Sequence, residues 1–317
     1  MKFLYLMDPI EGIDITKDTT FAFIRESQAR DHENWYCHAQ DLTFRDGALW
    51  VHAAPLTVAD VQGQHALIGN YAWIAAEEFA CIFMRKDPPF DNDFFFTTQL
   101  LSLADQSRTF VFNHPTGLRE ASEKMFILRY PELTAPTMVA TSHAAILEFA
   151  EAVGGDVVVK PLDGCGGAGI FRIKPGDLNT HSILETLTLN GQRAIMAQQY
   201  LPASRAGDMR LLYLDGKPIG GINRVPRSDD LRGNIHVGGR VEAVEIGDRE
   251  NEICERLAPD LEALGIWFAG LDVIGGHLTE VNVTSPTGIQ EASRLADKNL
   301  AAPVIDLVER KCSERGR

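Results

Sequence analysis

Residues Val157 to Ile173, VVVKPLDGCGGAGIFRI, constrain the fold more than any other stretch of the chain. Three valines lead into Lys160-Pro161, then Gly164, Gly166, Gly167 and Gly169 place four glycines in six positions, and an apolar run from Ile170 to Ile173 follows. The pattern predicts a strand, a glycine loop and a second strand. Glycines this dense let backbone N–H groups turn toward an anion with no Cβ in the way, and a lysine at the strand end adds a full positive charge. A polyphosphate is the ligand such a stretch suits. A P-loop or a dinucleotide fingerprint would run on into a helix, whereas Ile-Phe-Arg-Ile alternates as a strand does. Taken alone, the glycines are also compatible with a flexible hairpin; residues further along decide between the two.

Those residues are Gly270 to Gly288, GLDVIGGHLTEVNVTSPTG. Leu271 to Ile274 and Leu278 to Val283 each alternate, so the segment reads as a hairpin turning at Gly275-Gly276-His277. With a three-residue loop, Ile274 pairs with Leu278 and Asp272 stands opposite Glu280; a two-residue loop would put Leu271 there instead. Period two adds Asn282 to the face of Glu280. The three-residue register therefore collects two carboxylates and one amide oxygen on one surface, a hard oxygen set that fits Mg²⁺. The bland alternative is a sheet whose polar face meets solvent. Leu271, Val273, Val281 and Val283 supply the buried face, so the acids opposite them call for a partner.

Composition excludes several classes of function. A net charge of -14 over 317 residues argues against nucleic acid or an anionic membrane as partner. No apolar run reaches membrane-spanning length, and Met1 to Asp8 is too short for a signal peptide, so a cytoplasmic protein is expected. Five cysteines without a CxxC pair suggest neither a disulfide framework nor a zinc site.

Along the chain, Lys2 to Met7 reads as a strand ending at Asp8-Pro9, Thr19 to Arg30 as a helix, and Asp46-Gly47 as a hairpin turn between Thr43-Phe44-Arg45 and Ala48-Leu49-Trp50. Phe79 to Met84 is a strand that delivers Arg85 to its carboxyl end, where ligands of open α/β sheets collect. A helix from Asp93 to Ser107, capped by Asp93, and a strand from Thr109 to Phe112 complete an open α/β domain over residues 1–120. The second domain spans 121–317. Its first part, 121–201, carries Lys124 on a helix from Glu120 to Arg129, the glycine loop, and a strand ending at Gln198-Gln199-Tyr200-Leu201 before Pro202. A strand broken there leaves backbone donors and acceptors for an adenine edge; an ordinary strand end is the other reading. Its second part, 202–317, contains the metal hairpin and a basic segment. From Arg205 to Arg240 seven basic residues face four acidic ones, a local balance of +3. Residues 226–240 within it read as a lid over an anion, with a solvated loop as the alternative.

MDP (Met7 to Pro9), MRKDPPFD (Met84 to Asp91), EKMF (Glu123 to Phe126), KPLDGCGGAGIFR (Lys160 to Arg172), AQQYLP (Ala197 to Pro202), RGNIHVGGR (Arg232 to Arg240), GLDVIG and LTEVNVTSPTGI together resemble the ATP-grasp superfamily, and within it the bacterial glutathione synthetases. The resemblance implies an ATP-grasp fold behind the N-terminal α/β domain. It also implies ATP-dependent ligation of γ-glutamylcysteine and glycine through an acylphosphate, with Mg²⁺ or Mn²⁺ required. It implies that Lys124, Lys160, Gly164, Gly166 and Gly167 hold phosphate, that Gln198, Gln199, Tyr200 and Leu201 form the adenine hinge, and that Asp208 meets the ribose. Asp272, Glu280 and Asn282 match metal ligands, and Arg210 and Arg224 match catalytic arginines. Arg85, Arg232, Arg240, Ser285 and Thr287 match positions for the peptide substrate and lid. A homo-oligomer is expected, a tetramer being one form of it. Departures from the pattern are His114 in place of lysine, Cys165 in place of methionine, and the tail after Ile289. Two other functions stay open from the sequence: another ATP-grasp carboxylate–amine ligase, and a nucleotide-binding regulator without catalysis.

Overall fold

The computed structural model describes residues 1–164, 166–227 and 240–316, arranged as three sheets with helices packed against them. The first sheet is built from β1 (Lys2–Leu6), β2 (Glu33–Cys37), β3 (Leu42–Arg45), β4 (Ala48–Val58), β5 (Ala66–Ile68), β6 (Ala72–Ala75), β7 (Cys81–Met84) and β8 (Phe110–Phe112), with helices α1 (Thr19–Ala29), α2 (Asn92–Leu101) and α3 (Pro115–Glu120). Its spine β2-β1-β7-β8 is parallel, and β3, β5 and β6 pair with β4 at one end. The second sheet, ordered β11-β10-β12-β9, joins β9 (Thr137–Ala140), β10 (Val157–Pro161), β11 (Phe171–Ile173) and β12 (Ile195–Gln199), with α4 (His143–Ala152) and α5 (Thr180–Thr188). The third, ordered β15-β14-β13-β16-β17, joins β13 (Asp208–Leu214), β14 (Lys217–Val225), β15 (Arg240–Ala243), β16 (Phe268–Ile274) and β17 (His277–Asn282), with α6 (Asp248–Ala263), α7 (Ile289–Ala296) and α8 (Ala301–Ser313).

Local chemistry explains most of these elements. The β3–β4 turn has positive φ at both Asp46 and Gly47 (52° and 79°), the geometry a two-residue hairpin needs. Asp18 starts α1 by accepting from Phe21 N at 2.6 Å. Asp91 rather than Asp93 caps α2, accepting from Phe94 N at 2.9 Å, so Asp93 falls in the first turn, where an acid favours the helix dipole. That helix stops at Leu101, short of Ser107.

The expected helix from Glu120 to Arg129 does not form. Only Phe126–Arg129 makes a short 3₁₀ turn, because the segment gives its backbone to the third sheet. β17 is an edge strand, and its outward N–H groups find carbonyls here: Val281 N donates to Glu123 O at 2.9 Å and Leu278 N to Leu133 O at 2.8 Å. A helix would withhold those carbonyls and leave a buried edge unpaired. The consequence is functional, since it sets Lys124 beside β17.

The last helix returns to the beginning of the chain. Val304, Ile305 and Val308 of α8 share one buried cluster with Phe3, Tyr5, Phe23 and Phe83, and Arg30 ion-pairs with Asp306 at 2.6 Å. No helix among the described residues is long and apolar enough to cross a membrane.

Asn113, just past β8, locks the first sheet to the third. Its buried amide Nδ2 donates to Phe268 O (2.7 Å) and Val283 O (3.2 Å), while Oδ1 accepts from Trp267 N (2.9 Å) and Phe268 N (3.0 Å). Asn113→Ala would strand three buried backbone groups and the half-buried Trp267 N–H, a buried one costing about 1–3 kcal/mol when unpaired. A loss of about 4 kcal/mol in chemical denaturation is expected after partial relaxation. A variant within 1 kcal/mol or so of the parent would mean that this hub contributes little.

Candidate active site

A cavity of about 460 Å³ lies between the second and third sheets. Its floor is β13, β14, β16 and β17; its roof is β10, the glycine loop and the end of β12. The floor presents Arg210, Arg224, Asp272, Glu280 and Asn282; the roof presents Lys160, Gly164, Gly166, Gly167 and the run Gln198 to Leu201.

Asp272 does face Glu280, though by a different route from the three-residue loop. Gly275 and Gly276 alone make the turn, with φ of 55° and 77°, so that Ile274 pairs with His277 and Val273 with Leu278. A β-bulge then admits Thr279 as the extra residue and returns Asp272 opposite Glu280. Thr279 Oγ1 donates to Asp272 O at 3.1 Å, which ties the bulge down. A bulge inserts one residue on one strand only, and so restores the pairing that a two-residue turn alone would have lost.

Charges in the floor are tightly matched. Arg210 grips Asp272 with two bonds, Nε to Oδ1 at 2.6 Å and Nη2 to Oδ2 at 3.2 Å. Arg224 Nη2 reaches Asp272 Oδ2 at 3.0 Å and Asp208 Oδ2 at 2.6 Å. Lys160 and Lys124 approach Glu280 Oε1 from the roof side at 3.4 and 3.7 Å, and Lys124 also donates to Gly164 O at 2.5 Å. Burial by itself would push the Asp272 carboxyl up, but Arg210 and Arg224 together overcome it and hold it at about 2. Asp208 goes the other way. Burial raises it to about 7, since it has only a share of Arg224 and sits beside Asp272.

The donor set fits a hard divalent cation. Asp272 and Glu280 stand directly across the ladder, and the Asn282 amide donates its Nδ2 to Gly270 O at 3.1 Å, which turns its oxygen the other way. Among the described residues no third acid, histidine or cysteine completes a cluster. Two carboxylates and one amide oxygen leave coordination positions open for water and phosphate, as Mg²⁺ prefers. Among the described residues the buried Asp208 Oδ1 has no hydrogen-bond partner, so a polar group entering here meets an unused acceptor.

Of the remaining expected site residues, Asp208, Ser285 and Thr287 line the cavity. Arg85 is buried behind it: Nε donates to Thr20 Oγ1 at 3.0 Å and Nη2 to Pro286 O at 3.1 Å, so the guanidinium holds the turn that carries Ser285 and Thr287. Burial pulls Arg85 down to about 10, which still leaves it charged at neutral pH. Asp8 of the MDP motif braces the neighbouring loop, bonding Lys86 Nζ at 3.1 Å and Asp87 N at 2.8 Å. Arg240 begins β15, is exposed and pairs with Glu242 at 2.5 Å, away from the cavity lining. Arg232, Cys165 and all but the ends of the expected lid 226–240 lie outside the described residues.

Glu123 and Arg172 also line the cavity and were not singled out from the sequence. Glu123 accepts from Thr284 Oγ1 at 3.1 Å, and burial raises its carboxyl, with Glu280 adding to the effect. Its place next to Lys124 in EKMF was the available signal.

The chain is similar to known proteins along its whole length. The family model for the prokaryotic glutathione synthetase N-terminal domain matches residues 1–119, and that for the prokaryotic glutathione synthetase ATP-grasp domain matches residues 123–297. The glutathione synthetase of Synechococcus elongatus is 43% identical over 318 residues, covering 98% of each chain, and that of Nitrosomonas europaea is 41% identical over 321 residues, covering 100% of each. Among solved structures, the ATP-grasp ligase PsnB complexed with minimal precursor, Mg and ADP shares the fold, with a TM-score of 0.63 at 18% identity over 98% of both chains. A lysine-flanked glycine loop facing an oxygen-lined hairpin, both family domains and whole-length identity above 40% lead to one assignment: the chain belongs to the prokaryotic glutathione synthetases, ATP-dependent ligases built on the ATP-grasp fold.

Proposed function

We propose that this protein joins the cysteinyl carboxylate of γ-glutamylcysteine to the amine of glycine, using ATP. A carboxylate oxygen attacks the γ-phosphorus and ADP leaves, giving an acylphosphate. The glycine amine then attacks the acyl carbon, phosphate departs with the C–O electron pair, and the nitrogen loses a proton to become an amide. What supports this reading is the set of four buried or nearly buried cations, Lys124, Lys160, Arg210 and Arg224, converging on the carboxylates of Asp272 and Glu280.

Each residue then has a task. Lys124 and Lys160, with the N–H groups of Gly164 to Gly167, take the triphosphate. Gln198 to Leu201 receive the adenine and Asp208 a ribose hydroxyl. Arg210 and Arg224 meet negative charge that develops as the phosphoryl group moves, the electrostatic contribution that dominates such transfers. Ser285 and Thr287, on the turn held by Arg85, face the peptide. Mg²⁺ is the expected cation, with Mn²⁺ able to replace it; Asp272, Glu280 and Asn282 would hold it, and it supplies charge neutralisation at the phosphates.

The test is phosphate release from ATP with γ-glutamylcysteine, with and without glycine. Release that requires both substrates is the expected outcome. Release with other acids or amines only would make the protein a different ATP-grasp ligase, and ATP binding without release under any pairing would remove it from the ligases.

A further inference from the structure

Arg172 also lines the cavity, and its surroundings are unlike those of the paired cations. It projects from β11, opposite Val158 of β10, and its guanidinium lies over the ring of Tyr200 with 3.4 Å between them. Asp156 holds it there with two parallel bonds, Nε to Oδ1 at 2.7 Å and Nη2 to Oδ2. The same Asp156 accepts the Tyr200 N–H on its backbone carbonyl at 2.9 Å. One residue therefore holds both the backbone that carries the ring and the cation over it, while Ser204 Oγ donates to the Tyr200 hydroxyl at 3.3 Å. The pairing holds the Arg172 guanidinium above its ordinary range and the Asp156 carboxyl below its own, each through their shared hydrogen bonds.

This arrangement commits the Nε–Nη2 edge of the arginine to Asp156 and leaves its plane available. One face of the plane meets Tyr200, and Arg172, Tyr200 and Val158 all line the cavity. A guanidinium is flat and weakly hydrated, and stacks on π-systems. A phosphate would have to use the Nη1 side that Asp156 leaves, and the tripolyphosphate arm of the experiment below separates that contact from stacking. A purine base needs only a face, and stacking of that kind accepts any base.

We propose that Arg172 is a nucleotide-positioning residue: with the Tyr200 ring against one face and Asp156 holding its Nε–Nη2 edge, it forms the stacking platform for the purine base in the cavity. The inference rests on the reading of the cavity as an ATP site and adds a residue to it. Stacking contributes to affinity for the whole nucleotide and nothing to a base-free polyphosphate, and this separates it from a charge effect.

The experiment compares calorimetric binding of MgATP and of magnesium tripolyphosphate to the full-length protein without other substrates. In Arg172→Met, ATP affinity falls roughly 5- to 20-fold while tripolyphosphate affinity stays within about 2-fold. Arg172→Lys, which keeps the charge and loses the plane, behaves like Arg172→Met. Unchanged ATP affinity in Arg172→Met overturns the proposal, as does an equal loss for both ligands or recovery of ATP affinity in Arg172→Lys. Because the readout is binding, a failure of the ligase reading shows up separately, as absent phosphate release in the parent protein.

Discussion

Asp272→Asn is expected to lower turnover by about 10³-fold or more and to destabilise the nucleotide-free protein by about 3 kcal/mol, whereas Glu280→Gln lowers turnover by about 10²-fold or more and costs about 1 kcal/mol of stability. The difference comes from what each carboxylate balances. Asp272 is buried and bonds two arginines, Arg210 twice and Arg224 once. Its neutralisation leaves Arg224 with Asp208 as its ion-pair partner among the described residues, an acid itself pushed toward its neutral form, and leaves Arg210 without the carboxylate it bonds twice. Breaking one side of a buried ion pair is the costly change. Glu280 is more open, with 19% of its side chain exposed, and its lysine partners stand off at 3.4 and 3.7 Å. It also sits near Glu123 and Asp208, whose carboxyls it pushes up, so removing its charge relieves repulsion as well as losing attraction. Thermal unfolding without ligands and single-turnover phosphate release measure the two effects separately. Equal destabilisation by both substitutions would show that the floor is not divided in this way.

Gly270→Ala should fold and yet turn over about 10²-fold more slowly. The β16 backbone at Gly270 runs directly beneath Arg210. A Cβ there would lie 2.9 Å from Arg210 Cδ, 3.0 Å from its Nη1 and 3.0 Å from Pro286 Cβ. Real Cβ atoms rarely come that close, so the arginine must yield. It can do so by swinging its flexible end, which limits the stability loss to about 1–3 kcal/mol. The cost to chemistry is larger, because Arg210 holds Asp272 at one end and reaches Thr287 O at 3.4 Å, and a shift near 1 Å in such a group costs about 10² in rate. Substrate affinities should move less than turnover. A Gly270→Ala enzyme with parental turnover would show that Arg210 tolerates displacement and is not a positioned catalytic group.

Several parts of this site were legible before any coordinates. The glycine loop, the hairpin acids and the strand-end lysine are local patterns, and local patterns survive folding when the rest of the chain supports them. The Asp272–Glu280 pairing was legible only in outcome. A hairpin's register follows from turn length and bulges together, and nothing in GGHLTE marks Thr279 as the residue to be extruded. Lys124 was placed on a helix because EKMFILR has helical composition, and the open edge of β17 overrode that preference by taking carbonyls on either side of it.

The amino-acid sequence by itself determined which chemical groups the chain owns and which of them share a strand face: two lysines, a flexible anion cradle, and oxygen donors two residues apart. These follow from residue type and the period of two along a strand, neither of which needs a distant contact. Only the tertiary structure decided which charges neutralise one another. It gave Asp272 to two arginines 62 and 48 residues away in the chain, set Arg85 behind the substrate turn, laid Arg172 on Tyr200, and made Asn113 the lock between sheets. Such pairings depend on how separate sheets stack, and side chains far apart in sequence meet only after the hydrophobic faces beneath them have packed.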